Sequence, residues 1–158
     1  ILLVIAFALG VIADNGFQYF QGYSQEQTAS FSESCGSKLM PLSRVSREDI
    51  HIYPDRACIS LKEPSIASYT DTASMEPLLG SSAKGIEIQP NGPQDVHMGD
   101  IVSYRSEYTS GVVVHQVYNI SYDENGWYAV MKGINSKEAD PGRVRFNQIN
   151  KVLVMAIY

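Results

Sequence analysis

One serine of this chain stands where it could act as a nucleophile. Ser74 lies in the run Thr72-Ala73-Ser74-Met75-Glu76-Pro77, at the end of a predicted extended segment. Pro77 restricts the residue before it and turns the chain. A serine at such a junction can present its hydroxyl and its own backbone N–H to one substrate carbonyl, as acyl transfer requires. A plain turn is the alternative interpretation of these residues.

A serine nucleophile needs a general base, and the chain has three histidines. His97 adjoins a predicted turn, and His51 lies in a predicted hairpin. His115 interrupts the apolar run 112–117, where a histidine is more often a hydrogen-bonded core residue than a catalyst. The three residues form no HxH, HExxH or i,i+4 pair, so we expect neither a metal site nor a metal cofactor.

Length and charge limit the classes of protein to consider. The chain has 158 residues, which is the size of one domain, with a net charge of −5 at pH 7. A nucleic-acid-binding protein normally carries a clustered basic face, so we expect no nucleic-acid partner. Ten Tyr and twelve Gly favour a domain rich in strands and turns.

The sequence divides into three stretches. Residues 1–13 form an uncharged apolar run, which we interpret as the end of a truncated transmembrane helix; a buried core helix or strand is the alternative. Residues 14–48 are rich in Gln, Ser, Tyr and Gly and are predicted to be a polar spacer. Residues 49–158 are predicted to be the folded β domain.

Alternating apolar residues and turn signals dominate the third stretch. The clearest signals are two hairpins, one over 49–61 and one over 111–132 whose turn is Asp123-Glu124-Asn125-Gly126. Further strands are predicted at 66–72, 86–88, 101–105 and 151–158. Helical periodicity is nearly absent. The pattern predicts a small, mostly antiparallel β domain that is partly barrel-like.

Two cysteines, Cys35 and Cys58, flank a polar stretch. If this part of the chain lies outside the cytoplasm, a disulfide between them is allowed and would join the spacer to the domain. In the chain-entropy model such a loop contributes about 3 kcal/mol to stability. The pairing stays open, because it requires the two Cα atoms to lie within ~7 Å.

Five short motifs follow one another in a fixed order. They are Ser74-Met75-Glu76-Pro77, Gly99-Asp100-Ile101-Val102, Val114-His115-Gln116-Val117, Lys132-Gly133-Ile134-Asn135 and Asp140. This series resembles type I signal peptidases, specifically the serine–histidine branch of archaea and of the eukaryotic endoplasmic reticulum. The resemblance covers roughly residues 70–157 and rests on the order of the motifs, since no single motif is decisive.

The resemblance implies roles for individual residues. Ser74 would be the nucleophile, His115 the general base, and Asp140 the carboxylate that orients and stabilises the imidazolium. The Thr72 hydroxyl and the Ser74 backbone N–H would donate to the oxyanion. Asp140 precedes Pro141-Gly142, so a loop role is the rival interpretation for this residue. A histidine base implies activity that rises through about pH 6–7, whereas Lys132 or another lysine would require about pH 9.

The resemblance also implies a substrate and a location. An extended peptide would lie beside residues 68–73, with small residues at its −1 and −3 positions. The implied substrate-binding residues are Ser68, Tyr69, Thr70, Asp71, Ala73 and Met75. The protein would be a membrane-anchored serine endopeptidase that removes signal peptides from precursor proteins on the extracytoplasmic or lumenal side. No cofactor is implied.

Two departures from the family pattern keep an alternative open. Ile134 stands where relatives carry Asp, and Gly85-Ile86 stands where Gly-Asp is expected. A catalytically silent relative that serves as a surface-binding module would fit these changes. A LexA-type self-cleaving repressor would need a Ser–Lys dyad and an Ala-Gly cleavage bond, and this sequence has His115 and no Ala-Gly dipeptide.

Overall fold

A computed structural model describes residues 39–158, and this part of the chain is mostly β. Its eight strands are β1 (Ile50–Ile52), β2 (Ala57–Ile59), β3 (Ser65–Ser68), β4 (Lys84–Ile88), β5 (Ile101–Arg105), β6 (Val112–Asp123), β7 (Gly126–Lys132) and β8 (Ile149–Ile157). Four single-turn 3₁₀ helices accompany them, at Arg47–Asp49, Ala73–Met75, Pro93–Asp95 and Phe146–Gln148.

All strand pairs are antiparallel. β1 and β2 form a separate two-stranded sheet, and the other six strands form one sheet in the order β3-β4-β8-β5-β6-β7. The predicted antiparallel β class is therefore confirmed. The six-stranded sheet does not close into a barrel, because β3 and β7 remain its two edges within the described residues.

Both predicted hairpins are present. β1 pairs with β2 from Ile50↔Ile59 to Ile52↔Ala57, and β6 pairs with β7 up to Asp123↔Gly126. Gly126 has φ +93°, a conformation that few other residues adopt, which explains the sharp reversal of the chain there. The predicted strand over 66–72 is shorter than expected: β3 ends at Ser68, and the chain bends before Thr72.

Successive side chains of β5 point to opposite faces of the sheet, and an apolar cluster lies on each face. Val102 and Tyr104 belong to the larger cluster, which also contains Val96, Val117, Ala129, Met131, Val144, Ile149 and Val152. Ile101 belongs to the smaller cluster, with Met75, Leu79 and Ala83. Since successive side chains of a strand point to opposite faces, one strand contributes to both cores. The segment that carries Ser74 is anchored in the smaller cluster through Met75 and Leu79.

Residues 39–46 lie against the turn before β5. The Asp100 carboxylate is almost fully buried, with 1% of its side chain exposed, and it accepts hydrogen bonds from the Arg44 guanidinium and from the backbone N–H of Leu42 and His97. Gly99 has φ +95°, and a Cβ there would lie 2.2 Å from the carbonyl oxygen of Met40. This end of the predicted spacer is therefore tied to the domain.

Some sequence predictions involve residues outside the described part of the chain. Cys58 is exposed on β2, whereas Cys35 lies outside the described residues, so their pairing stays a prediction. The apolar run 1–13 and most of the spacer also lie outside the described residues. The helices between residues 39 and 158 are single 3₁₀ turns, and none of them could span a membrane.

Removing the Arg44 charge should destabilise the domain. In Arg44→Met the buried Asp100 carboxylate keeps two backbone donors but loses its cation, so we expect a loss of about 3 kcal/mol in the free energy of unfolding, measured with urea. Arg56→Met is the matched control, because the Arg56–Asp55 pair is exposed and should contribute less than about 1 kcal/mol. Equal effects of the two substitutions would contradict this account of Asp100.

Candidate active site

Ser74 lies in the short 3₁₀ turn Ala73–Met75. Thr72, which precedes the turn, is extended, and the buried side chain of Met75 holds the turn against the smaller apolar cluster. Pro77 follows two residues after Met75, where it bars a longer helix from forming. The Ser74 side chain is half-buried and lines an open cleft.

The segment after β7 supports the Ser74 turn from the other side. The backbone N–H of Asn135 donates to the carbonyl oxygen of Ser74 at 2.9 Å, and Asn135 Nδ2 donates to the carbonyl oxygen of Ala73 at 3.0 Å. A Cβ on Gly133 would lie 2.6 Å from the Ser74 carbonyl oxygen, so only glycine allows this close approach. Ile134 is 40% exposed, and the contacts to the Ser74 turn come from its two neighbours.

A continuous hydrogen-bonded chain joins Ser74, His115 and Asp140. Ser74 Oγ lies 3.0 Å from His115 Nε2, and His115 Nδ1 lies 2.5 Å from Asp140 Oδ2. The His115 and Asp140 side chains are only 13% and 17% exposed. The structure thus brings together the three residues that the sequence predicted as a catalytic set.

Each member of this set comes from a different element. His115 lies on β6 opposite Val102, Ser74 lies on the turn that covers the sheet, and Asp140 lies in the loop after β7. The backbone N–H of Asp140 donates to the carbonyl oxygen of Met131 at 2.8 Å, which fixes the loop on β7. The loop interpretation of Asp140 and the catalytic one are therefore compatible.

Tyr104 is a fourth member of the hydrogen-bonded chain, and the sequence did not predict it. Its hydroxyl donates to Asp140 Oδ2 at 2.7 Å, the same oxygen that faces His115. The signal in the sequence was a tyrosine within the predicted strand 101–105, since a buried tyrosine hydroxyl usually finds a partner. Burial, together with the neighbouring Asp140, raises the pKa of Tyr104.

The hydrogen bonds also set the charge of Asp140. Burial alone would raise the pKa of this carboxyl, but the hydrogen bonds from His115 and Tyr104 outweigh it and lower the pKa below the ordinary value. Asp140 is therefore an anion at neutral pH. With the proton on Nδ1, His115 donates to this anion and leaves Nε2 free to accept the proton of the Ser74 hydroxyl.

Five of the remaining predicted site residues line a cleft of about 470 Å³. One wall contains Ser68, Tyr69, Thr70, Thr72 and Met75, and the opposite wall contains Thr109, Ser110 and residues 112–115. Asp71 and Ala73 are exposed and do not line the cleft. The Thr72 hydroxyl makes no capping bond to the turn, and its role as an oxyanion donor stays a prediction.

Other charged groups lie away from this hydrogen-bonded chain. The Lys132 ammonium stands over the ring of Tyr118, 5.1 Å from its centroid. His97 packs beside Asp100, and His51 is exposed on β1. In the part of the chain that the structure describes, no three His, Cys, Asp or Glu side chains gather closely enough to hold a metal ion.

The comparison with known proteins identified no relative of this chain. No protein-family model, curated protein or solved structure matches the chain. The case for a function therefore depends on the order of the motifs and on the geometry of Ser74, His115 and Asp140.

The reactivity of Ser74 towards a fluorophosphonate probe should depend on the Asp140 charge. We expect Asp140→Asn to slow labelling by up to about four orders of magnitude, because the amide favours the wrong tautomer of His115. Tyr104→Phe keeps the carboxylate and loses one hydrogen bond, so we expect a loss of about tenfold. Labelling rates from mass spectrometry measure both effects, and an unchanged rate in Asp140→Asn would contradict the assignment.

Proposed function

We propose that this chain is a membrane-anchored serine endopeptidase of the type I signal-peptidase kind, from the serine–histidine branch. It cleaves signal peptides from exported precursor proteins after small residues at −1 and −3. The observation that carries the proposal is the hydrogen-bonded chain from Ser74 Oγ through His115 to Asp140. The five motifs in family order supply the substrate class.

The first half of the reaction forms an ester. Ser74 Oγ attacks the carbonyl carbon of the scissile peptide bond while its proton passes to His115 Nε2. The Ser74 N–H and the Thr72 hydroxyl donate hydrogen bonds to the carbonyl oxygen, which becomes negatively charged. The imidazolium is stabilised by the Asp140 carboxylate. When the C–N bond breaks, the leaving amine takes the proton from His115, and the signal peptide remains as an acyl group on Ser74.

The second half releases the signal peptide. A water molecule gives a proton to His115 Nε2 and attacks the ester carbonyl. The C–O bond to Ser74 then breaks, and the serine oxygen recovers the proton from His115. The products are the free carboxylate of the signal peptide and the mature protein with a new amino terminus. No other reactant is needed.

The shape of the cleft suits an extended peptide. Residues 67–70 and Thr72, from the segment before Ser74, form one wall, and residues 109, 110 and 112–115 form the other. β3 leads directly into the first wall and is an edge strand, with one side unpaired among residues 39–158. A substrate strand can pair there through its main chain while shallow pockets near Met75 and Leu79 hold small side chains.

The apolar run 1–13 supports the proposed location. A membrane segment at this end would hold the domain at the outer or lumenal face, where the signal peptides of exported precursors emerge. The membrane and the precursor proteins are the partners that this proposal names.

The family departure at Ile134 does not favour the silent binding module. The contacts that hold the Ser74 turn come from the Gly133 backbone and from Asn135 on either side. Asp140 is ionised and hydrogen-bonded to His115 without a second carboxylate. The chain therefore retains all the groups that the proposed mechanism uses.

Cleavage of a precursor carrying an Ala-x-Ala site tests the proposal. We expect the wild-type protein to cut after the second Ala, and Ser74→Ala or His115→Ala to lose at least about three orders of magnitude in rate, because either change removes the nucleophile or its base. The products are identified by gel and mass spectrometry. Equal cleavage by all three proteins, or none by any, would refute the proposed activity.

The pH profile of this cleavage should show a histidine base. The pKa of Asp140 lies below its ordinary value, so this carboxylate stays ionised across the weakly acidic range. The rise in kcat/KM with pH should then report loss of a proton from an imidazole, a group that ordinarily titrates near pH ~6.5. A rate that climbs only above about pH 9 would point to a lysine base and contradict the assignment of His115.

A further inference from the structure

The floor of the cleft carries a carboxyl group that the proposed mechanism does not use. Glu87 lies on β4, is only 6% exposed, and lines the cleft together with Ser103 of β5. The hydroxyl of Tyr69 donates to Glu87 Oε1 at 3.4 Å. One side of the cleft is therefore polar at its base, whereas Met75 and Leu79 make the end beside Ser74 apolar.

The strand registers explain why these groups lie together. On β8, Leu153 pairs with Glu87 and Lys151 pairs with Ser103. Because Lys151 and Leu153 are two residues apart, they share one face of the sheet, and so do Glu87 and Ser103. This is the face that the Ser74 turn covers.

Glu87 forms no salt bridge with any of the described residues. Burial raises the pKa of Glu87, and the hydrogen bonds from Tyr69 and Ser103 and the charge of Lys151 only partly offset this effect. A buried carboxylate is costly unless it is paired, so a ligand that brings a positive charge would gain by binding here.

The position of Tyr69 indicates which substrate residue reaches Glu87. Tyr69 precedes Ser74 by five residues. The chain between them bends at Asp71 and enters the 3₁₀ turn Ala73–Met75, so it is shorter than five strand steps. A substrate strand that runs parallel to residues 68–73 therefore passes Tyr69 on the amino-terminal side of its scissile bond. Side chains at −1, −3 and −5 share one face of the substrate strand. With −1 and −3 in the apolar end of the cleft beside Ser74, −5 is the next side chain that faces the floor.

We propose that Glu87 is a specificity-determining residue that binds a Lys or Arg side chain at the −5 position of the substrate. This inference rests on the proposed function, since it needs the substrate to lie beside residues 68–73. A long basic side chain would reach past the apolar end of the cleft and donate a charge-assisted hydrogen bond to the carboxylate. The preferred precursors are then those with a basic residue five positions before the cleavage site.

A pair of matched peptides tests this preference. Both carry Ala at −1 and −3, and they differ only at −5, where one has Lys and the other has norleucine, which has a similar aliphatic chain and no charge. For the wild-type protein we expect kcat/KM to be about 10- to 100-fold higher with Lys, the range expected for a hydrogen bond to a charged group. Moving the Lys to −4, which faces away from the floor, should abolish the preference.

Substitution of Glu87 should remove the discrimination. In Glu87→Gln we expect the Lys-to-norleucine ratio of kcat/KM to fall close to one. Glu124→Gln is the matched control, because Glu124 is exposed in the turn between β6 and β7 and loses the same charge. Circular dichroism of both variants checks that the fold is retained.

The outcomes separate this inference from the proposed function. Equal kcat/KM for the two peptides in the wild-type protein would overturn the role of Glu87, and so would an unchanged ratio in Glu87→Gln. If neither peptide is cleaved, the proposed function fails, and fluorescence anisotropy of labelled peptides bound to Ser74→Ala still tests the preference. Tighter binding of the Lys peptide that disappears in the Ser74→Ala, Glu87→Gln double variant would support the inference on its own.

Discussion

The candidate site depends on one buried oxygen, Asp140 Oδ2. It lies 2.5 Å from His115 Nδ1 and 2.7 Å from the Tyr104 hydroxyl, and these two donors keep the carboxylate ionised despite its burial. An ionised Asp140 fixes the tautomer of His115 in which Nε2 can take a proton from Ser74. The orientation of the imidazole, and hence the activation of the serine, follows from this arrangement.

The sheet supplies the precision that this arrangement needs. β5 and β6 are neighbours, so Tyr104 and His115 are set by one antiparallel register, and the loop with Asp140 is fastened to β7 by a main-chain hydrogen bond. Ser74 lies outside the sheet, on a turn that is held in place by the buried Met75 and by Asn135. Groups held by strands and packed side chains keep a geometry that free loops would lose.

The sequence was informative where local signals coincide with tertiary roles. Turn residues and alternation predicted both hairpins, and the motif order predicted Ser74, His115 and Asp140, which the structure brings within hydrogen-bonding distance. Tyr104 and Glu87 were missed because their significance depends on register across strands that are distant in the chain. The contact of Arg44 with Asp100 was missed for the same reason, since it joins a polar segment to a turn 56 residues away.

Trapping the acyl group on the protein tests the central claim most directly. A peptide ester of a signal-peptide sequence acylates a serine peptidase faster than water removes the acyl group, so rapid quenching followed by peptide mapping reveals the adduct. Our account predicts an ester on Ser74 whose mass matches the acyl part of the substrate and which decays on further incubation. An adduct on another residue, or turnover of the ester with no adduct at any quench time, would contradict it.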